Sequence, residues 1–357
     1  MILPALLCAI GLPAGFLLIR RIPTCAPDGP CAETSLSIIV PARNEEHNLP
    51  RLLASISRSA FLPAEILVVD DGSTDDSAAV AAGFGARVLT SAEKPDEWTG
   101  KSWACYQGAQ SATGELLLFL DADTYFLPGG LDRLISCWSR ERDQSLVVSL
   151  LPYHEMRRPY EQLSLFFNIL MAAGAGGFGA LTRSRLFGQS LLISRKAYFA
   201  AGAHAAVRGV VLENLRWASS LRDSGARFLC AGGKGTLHMR MFPDGFSLMS
   251  QSWAKAFIQG AGDSGRAVLA LSIAWISALW STALLLVMPR SYGRVSLALV
   301  YALFCIQVVW IARQLGAYRF VTCLLFPVPL AYFCVVFGRA GARRALRRKA
   351  IWRGREV

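Results

Sequence analysis

Charged residues are scarce in this chain of 357 residues, 17% of the total where about 25% is usual for a soluble domain. Asp, Glu, Lys and Arg are missing altogether from four stretches: Met1–Ile19, Ala267–Met288, Val295–Ala312 and Phe320–Gly338. A transporter would carry ionisable groups inside such segments, so their absence argues against transport. The nine cysteines form no CxxC pair, and the four histidines, His47, His154, His204 and His238, include no HExxH. Both absences argue against a zinc site. No helix-turn-helix, zinc-finger or RNP pattern is present, so nucleic acid is not an expected partner despite a net charge of +12.

What fills the gap is apolar: 53% hydrophobic residues and a mean hydropathy of +0.37. Each of the four uncharged stretches has about the length a helix needs to cross the hydrocarbon core. The first has no basic residues before it and Arg20-Arg21 after it, the flank of a retained anchor over 1–21 rather than a cleaved signal. The excess charge is concentrated in 339–357, where eight Lys and Arg face Glu356 alone. A basic run directly after a hydrophobic segment reads as a topology signal or a grip on anionic headgroups. The expectation is a multi-pass cell-membrane protein with its catalytic domain in the cytoplasm, helices over 267–338 and a basic cytoplasmic tail. Three crossings after a cytoplasmic domain would leave that tail outside, so one segment should not cross. Phe320–Gly338 is the candidate, because Pro327 and Pro329 interrupt it. Cys25 and Cys31 follow Arg20-Arg21 on the cytoplasmic side and are expected as reduced thiols.

Between about Ser35 and Gly232 the pattern changes. Short apolar runs, LSIIV (36–40), EILVVD (65–70), ARVLT (86–90), ELLLFLD (115–121) and LVVSLL (146–151), alternate with stretches of helical spacing. That alternation predicts an α/β domain with a mostly parallel sheet and right-handed crossovers. Ligands of such sheets bind at the carboxyl ends of the strands. Those ends carry Pro41-Ala-Arg43-Asn44-Glu45-Glu46, Asp70-Asp71-Gly72-Ser73 and Asp121-Ala122-Asp123. Alone, the second is a turn with a helix cap, and a single Asp-x-Asp arises often by chance. Together they suit nucleotide-phosphate chemistry, which needs a hard divalent cation on one or two carboxylates with positions left for phosphate oxygens.

These residues carry a family resemblance. SIIVPARNEEHNLPRLLASI, EILVVDDGSTDDS, GELLLFLDADT and LENLRWA resemble the family 2 glycosyltransferases of GT-A fold over about 35–262. WTGKSWACYQGA, LPYHEMRRPYEQLSLFFNILM and RMFPDGFSLMSQSWAKAF narrow it to the membrane-bound 4,4'-diaponeurosporenoate glycosyltransferase branch, which glucosylates a carotenoid carboxylic acid. The resemblance implies an inverting, metal-dependent hexosyltransferase using a UDP-sugar, UDP-glucose, with Mg²⁺ or Mn²⁺ and an apolar lipid acceptor. It implies that Pro41, Arg43 and Glu45 border the nucleotide and that Asp71 contacts uracil or ribose. Lys101 meets donor charge, Asp121 and Asp123 take the nucleotide-facing and metal roles, and Arg240, Trp253 and Lys255 contact diphosphate or acceptor. The family usually places Glu-Asp with the Asp as general base; here the pair is Glu213-Asn214. An Asn takes no proton near neutral pH, and an already ionised carboxylic acid acceptor needs none removed.

Two further segments are assigned to the acceptor side. Leu163–Leu181 is long enough to cross the bilayer, but a crossing there would split the active site, so an interfacial position or an acceptor entrance is expected, with core burial as the plain alternative. Phe246–Ala261 fits an interfacial amphipathic helix. Competing functions are a glycosyltransferase for a hopanoid, ceramide-like or glycerolipid acceptor, a polysaccharide synthase, or a catalytically dead membrane scaffold. The synthase pattern Gln-x-x-Arg-Trp is absent, with QSWAK (251–255) in its place. Oligomeric state is not legible.

Overall fold

The computed structural model describes residues 2–25, 34–141, 143–175, 177–180, 186–208, 213–260, 265–288, 293–345, 351–352 and 355–356. In chain order the elements are α1 (Ile2–Leu18), β1 (Leu36–Ala42), α2 (Leu49–Ser57), β2 (Glu65–Asp70), α3 (Ser77–Gly83), β3 (Arg87–Thr90), α4 (Gly100–Ser111), β4 (Leu116–Leu120), β5 (Thr124–Phe126), α5 (Gly130–Glu141), β6 (Leu146–Leu151) and β7 (Tyr153–His154). There follow α6 (Leu165–Ala175), β8 (Ser190–Ser194), α7 (Arg195–Ala200), α8 (Glu213–Asp223), β9 (Arg227–Gly232), β10 (Leu237–Met239), α9 (Phe246–Gly260), α10 (Arg266–Val287), α11 (Arg294–Leu315), α12 (Phe320–Leu324) and α13 (Pro327–Ala345). They divide into two compact units. One comprises Pro23–His154 and Ser184–Met241, the other Met1–Ile22, Glu155–Arg183 and Phe242–Val357.

The first unit is an α/β layer structure around a seven-stranded sheet of order β3-β2-β1-β4-β8-β6-β9. The five expected runs are all strands, and every pairing is parallel except those of β8, which runs against both β4 and β6. β4 is buried along its whole length because both faces are covered. Leu116, Leu118 and Leu120 pack with Leu49, Leu52, Leu53 and Ile56 of α2 and Leu131, Leu134 and Ile135 of α5. Leu117 and Phe119 pack on the other side with Ala104 and Cys105 of α4, Tyr198 of α7 and Trp217 of α8. This period-two partition is the reason a run of five apolar residues is a strand here and not a helix. A small sheet, β5-β10-β7, starts one residue after Asp123.

The second unit is helical. α1 lies against α10 and α11, and Gln307 of α11 joins all three: Trp275 Nε1 donates to its Oε1 at 2.9 Å and its Nε2 donates to Leu12 O at 2.8 Å. Among the described residues, α10 and α11 are long and apolar enough to cross a membrane. The stretch Phe320–Gly338 is not one helix. It breaks between Leu324 and Pro327, where Pro takes the first turn of α13, the helical position that tolerates it. The carbonyl freed by the break, Leu324 O, accepts from Tyr301 Oη at 2.6 Å.

The expected catalytic span 35–262 is interleaved with the helices. Residues 155–183 and everything from Phe242 onward belong to the helical unit. Within 163–181, α6 buries Leu165, Phe166, Phe167, Asn168 and Ile169. Phe167 stacks on Trp253 at 4.8 Å, and Phe166 meets Trp275 at 5.6 Å. A segment apolar on every side finds no polar face to give to an interface, so it fills the middle of the helical unit. In α9, by contrast, Phe246 is exposed.

Candidate active site

The carboxyl ends of β1, β2 and β4 share one sheet edge because the three strands are parallel neighbours. Two of the loops leaving them are stapled together. Asn44 adopts φ 57°, a left-handed conformation that Asn tolerates better than most residues. Its Oδ1 accepts from Thr74 N at 2.8 Å, while Asn44 N donates to Ser73 Oγ and Glu45 N to Ser77 Oγ. Asp70 closes its own turn, accepting from Ser73 N and Oγ at 3.0 and 2.5 Å. Asp71 is left to face the site. Its Oδ2 lies 3.8 Å from Arg43 Nη1, and burial raises its pKa while Arg43 opposes the rise. Gly100, the first residue of α4, allows this approach, since a Cβ there would overlap Asp71 Oδ2.

β4 delivers Asp121 and Asp123. Lys101 Nζ lies 2.5 Å from Asp121 Oδ1 and donates to Gly188 O at 3.0 Å. A lysine in a first helical turn opposes the helix dipole, and here Asp121 and the Gly188 carbonyl offset that cost. Asp123 Oδ1 is shut off from solvent and accepts no hydrogen bond. Burial, then the charges of Asp121 and Glu45, push the Asp123 carboxyl up to about 7, against the pull of Lys101. An orphaned carboxylate oxygen beside two more carboxylates fits a hard divalent cation. Among the described residues no three His, Cys, Asp or Glu side chains gather closely enough to hold a metal alone. The donor set therefore suits an ion that keeps positions for phosphate oxygens and water rather than a closed protein cage.

Beside Lys101 and Asp121 lies a narrow slot, lined also by Pro41, Phe119, Gly188, His204 and Trp217. Sequence reading singled out neither His204 nor Trp217. His204 is buried, its Nδ1 2.8 Å from Tyr198 Oη and its ring 4.5 Å from that of Trp217. Burial, with Lys101 adding to it, pushes His204 down to about 3, so it is neutral at physiological pH. The available signal was spacing alone: Trp217 follows Glu213-Asn214 by three to four residues, about one helical turn.

The remaining expected residues separate. Glu213 and Asn214 open α8, and their side chains lie outside the described residues. Arg240 follows Met239, the last residue of β10, which pairs with Thr124, the residue after Asp123. Trp253 and Lys255 belong to α9 in the helical unit. Trp253 is buried there, its Nε1 donating to Ser164 Oγ at 3.0 Å. Among the described residues no cysteine is in a disulfide, Cys25 included; Cys31 lies outside the described residues.

The family model for glycosyl transferase family 2 matches residues 37–216, the span that holds these loops, β4 and the start of α8. The 4,4'-diaponeurosporenoate glycosyltransferase of Staphylococcus aureus strain MRSA252 is 29% identical over 331 residues, 90% of this chain and 88% of that protein. Its counterpart in strain bovine RF122 / ET3-1 matches to the same extent. In structure, mannosyltransferase PcManGT from Pyrobaculum calidifontis, solved in complex with GDP-Man and Mn²⁺, aligns with a TM-score of 0.55 over 98% of this chain and 99% of that one, at 17% identity. At that identity the likeness speaks for the fold. The stapled loops, the Asp121-Ala122-Asp123 strand end and the family match agree, and the chain belongs to glycosyl transferase family 2.

Proposed function

We propose that this glycosyltransferase moves glucose from UDP-glucose to a membrane-dissolved carotenoid carboxylic acid, with inversion, giving a glucosyl ester. The observation that carries the reading is the similarity to 4,4'-diaponeurosporenoate glycosyltransferases, which extends over 90% of the chain and so includes the helices as well as the sheet. The two helices long and apolar enough to cross a membrane suit an enzyme whose acceptor is dissolved in lipid.

In this reading Asp71, held between Arg43 and Gly100, takes the uracil or ribose, with Pro41 and Glu45 bordering the nucleotide. Asp121 and Asp123 hold Mg²⁺ or Mn²⁺, which when bound supplies positive charge against the departing diphosphate. Lys101 and Arg240 add fixed positive charge on the same side. The acceptor carboxylate oxygen attacks C1 of the glucose, the bond from C1 to the diphosphate oxygen breaks, and UDP leaves with the electron pair. No proton has to move. Asn214 fits that balance: it donates a hydrogen bond to the attacking carboxylate, where an Asp would repel it. An alcohol acceptor would need a base, because a hydroxyl must lose its proton during attack.

The test compares wild type and Asn214→Asp on a carotenoid acid and on the matching alcohol. Wild type is expected to prefer the acid, and the variant to lose acid turnover by tenfold or more, the order of one charge-assisted hydrogen bond, while gaining on the alcohol. Preference of wild type for the alcohol, or faster ester formation by Asn214→Asp, would contradict the reading.

A further inference from the structure

We propose that Cys25 and Cys137 form a redox site, a thiol pair that a hydroperoxide converts to a disulfide and a small dithiol restores. Both residues belong to the sheet unit, and neither takes part in the glycosyl transfer described above. Cys25 stands on an anchored stretch of backbone. Thr24, just before it, bridges to Gly232 at the end of β9, and Pro23 O accepts from Gly232 N at 2.7 Å. Cys137 is carried by α5, whose Leu134, Ile135 and Trp138 are buried against the sheet. It packs on the same buried cluster that contains Cys25, and the two thiols hydrogen-bond to each other. Two sulfurs already in contact need only a short side-chain movement to bond, whereas thiols on distant or diverging backbones cannot be joined.

The pair is not symmetric. Cys25 is 5% exposed, and the hydrogen bond to Cys137, with burial adding to it, pushes its thiol up. Cys137 is half-buried, and the same hydrogen bond, helped by Arg140, holds its thiol below the ordinary value against burial and Glu141. The Cys25 S–H is thus the donor and the Cys137 sulfur the acceptor. A thiolate is the nucleophile in thiol oxidation, so Cys137 meets the oxidant and Cys25 resolves. The Cys137 thiolate attacks one oxygen of the hydroperoxide, an S–O bond forms, the O–O bond breaks, and the second oxygen leaves and takes up a proton. Cys25 sulfur then attacks Cys137 sulfur. The S–S bond forms, the S–O bond breaks, and hydroxide leaves as water with the Cys25 proton. The two thiols lose two electrons and the peroxide gains them. The new bond ties the first stretch of the sheet unit to α5.

The experiment treats the detergent-solubilised full chain with hydrogen peroxide, blocks the remaining thiols with N-ethylmaleimide, and maps linked peptides by mass spectrometry. The expected result is the loss of two free thiols per chain and a Cys25–Cys137 linked peptide that dithiothreitol abolishes. No linked peptide, or Cys25 linked to Cys31 or to any other cysteine instead, overturns the site. Two variants separate the roles. In Cys25→Ser, Cys137 is expected to stop at the sulfenic acid, which dimedone traps; in Cys137→Ser, Cys25 is expected to stay a thiol. Oxidation of Cys25 in Cys137→Ser to the extent seen in wild type overturns the assignment of Cys137 as the attacking thiol. The mapping of wild type decides the site by itself should either variant not fold.

Discussion

Asp123 is a carboxylate in a place that does not favour its charge. Asp121 and Glu45 repel it, burial strips its solvation, and its Oδ1 finds no donor. A fold keeps such a group for function at a cost in stability. Asp123→Asn should therefore raise the melting temperature in EDTA by about 2–4 °C, the equivalent of roughly 1 kcal/mol for a unit of this size. Mn²⁺ should raise the melting temperature of wild type and leave that of the variant unchanged. An equal Mn²⁺ response in both would place the cation elsewhere. The residue scale is also where sequence reading was uneven. Asp71, Asp121 and Asp123 were legible because each stands at the end of a strand in the alternating pattern, and Lys101 through the family resemblance. His204 and Trp217 were not, since a histidine among Ala and Gly and a tryptophan in a helix announce only packing. Their place in the slot depends on α8 and the 203–207 turn folding back on Phe119, a contact of long sequence separation that no local pattern encodes.

At the scale of elements, the strands that hold the site follow from alternating faces, and β1, β2, β3, β4 and β6 all lie where the apolar runs stand. The exception is β8. SLLIS is as apolar as its neighbours, and nothing in its composition records that it enters the sheet antiparallel between β4 and β6. The helices repeat the lesson: the break before Pro327 was legible from the prolines, while the burial of α6 was not, because an apolar helix reads the same in lipid and in a protein core. α1 makes its own case through packing. A Cβ on Gly15 would lie 2.6 Å from both Gln307 Nε2 and Trp275 Nε1, within the polar junction that joins α1, α10 and α11. Gly15→Leu should separate that junction and lower stability by about 1–3 kcal/mol, the usual penalty of overpacking. A thermal melt of the solubilised chain reads it directly. A melting temperature within a degree of wild type would mean that α1 does not dock as described.

At the scale of the whole molecule, the chain joins a sheet unit that gathers carboxylates at one edge to a helical unit with apolar residues on its outside, among them Ile273, Val295, Leu299 and Ile306. The division suits a transferase that takes a charged donor from water and an apolar acceptor from lipid. Both halves of that pairing can be read in a single experiment. Membranes containing the full chain are incubated with a carotenoid carboxylic acid and UDP-glucose carrying uniformly ¹³C-labelled glucose, and the lipid extract is analysed by mass spectrometry before and after mild alkali. The expected product is a carotenoid heavier by one labelled hexose, which alkali returns to the free acid as it would an ester. Labelled hexose appearing only on other lipids, or in an alkali-stable carotenoid product, would contradict the proposed function.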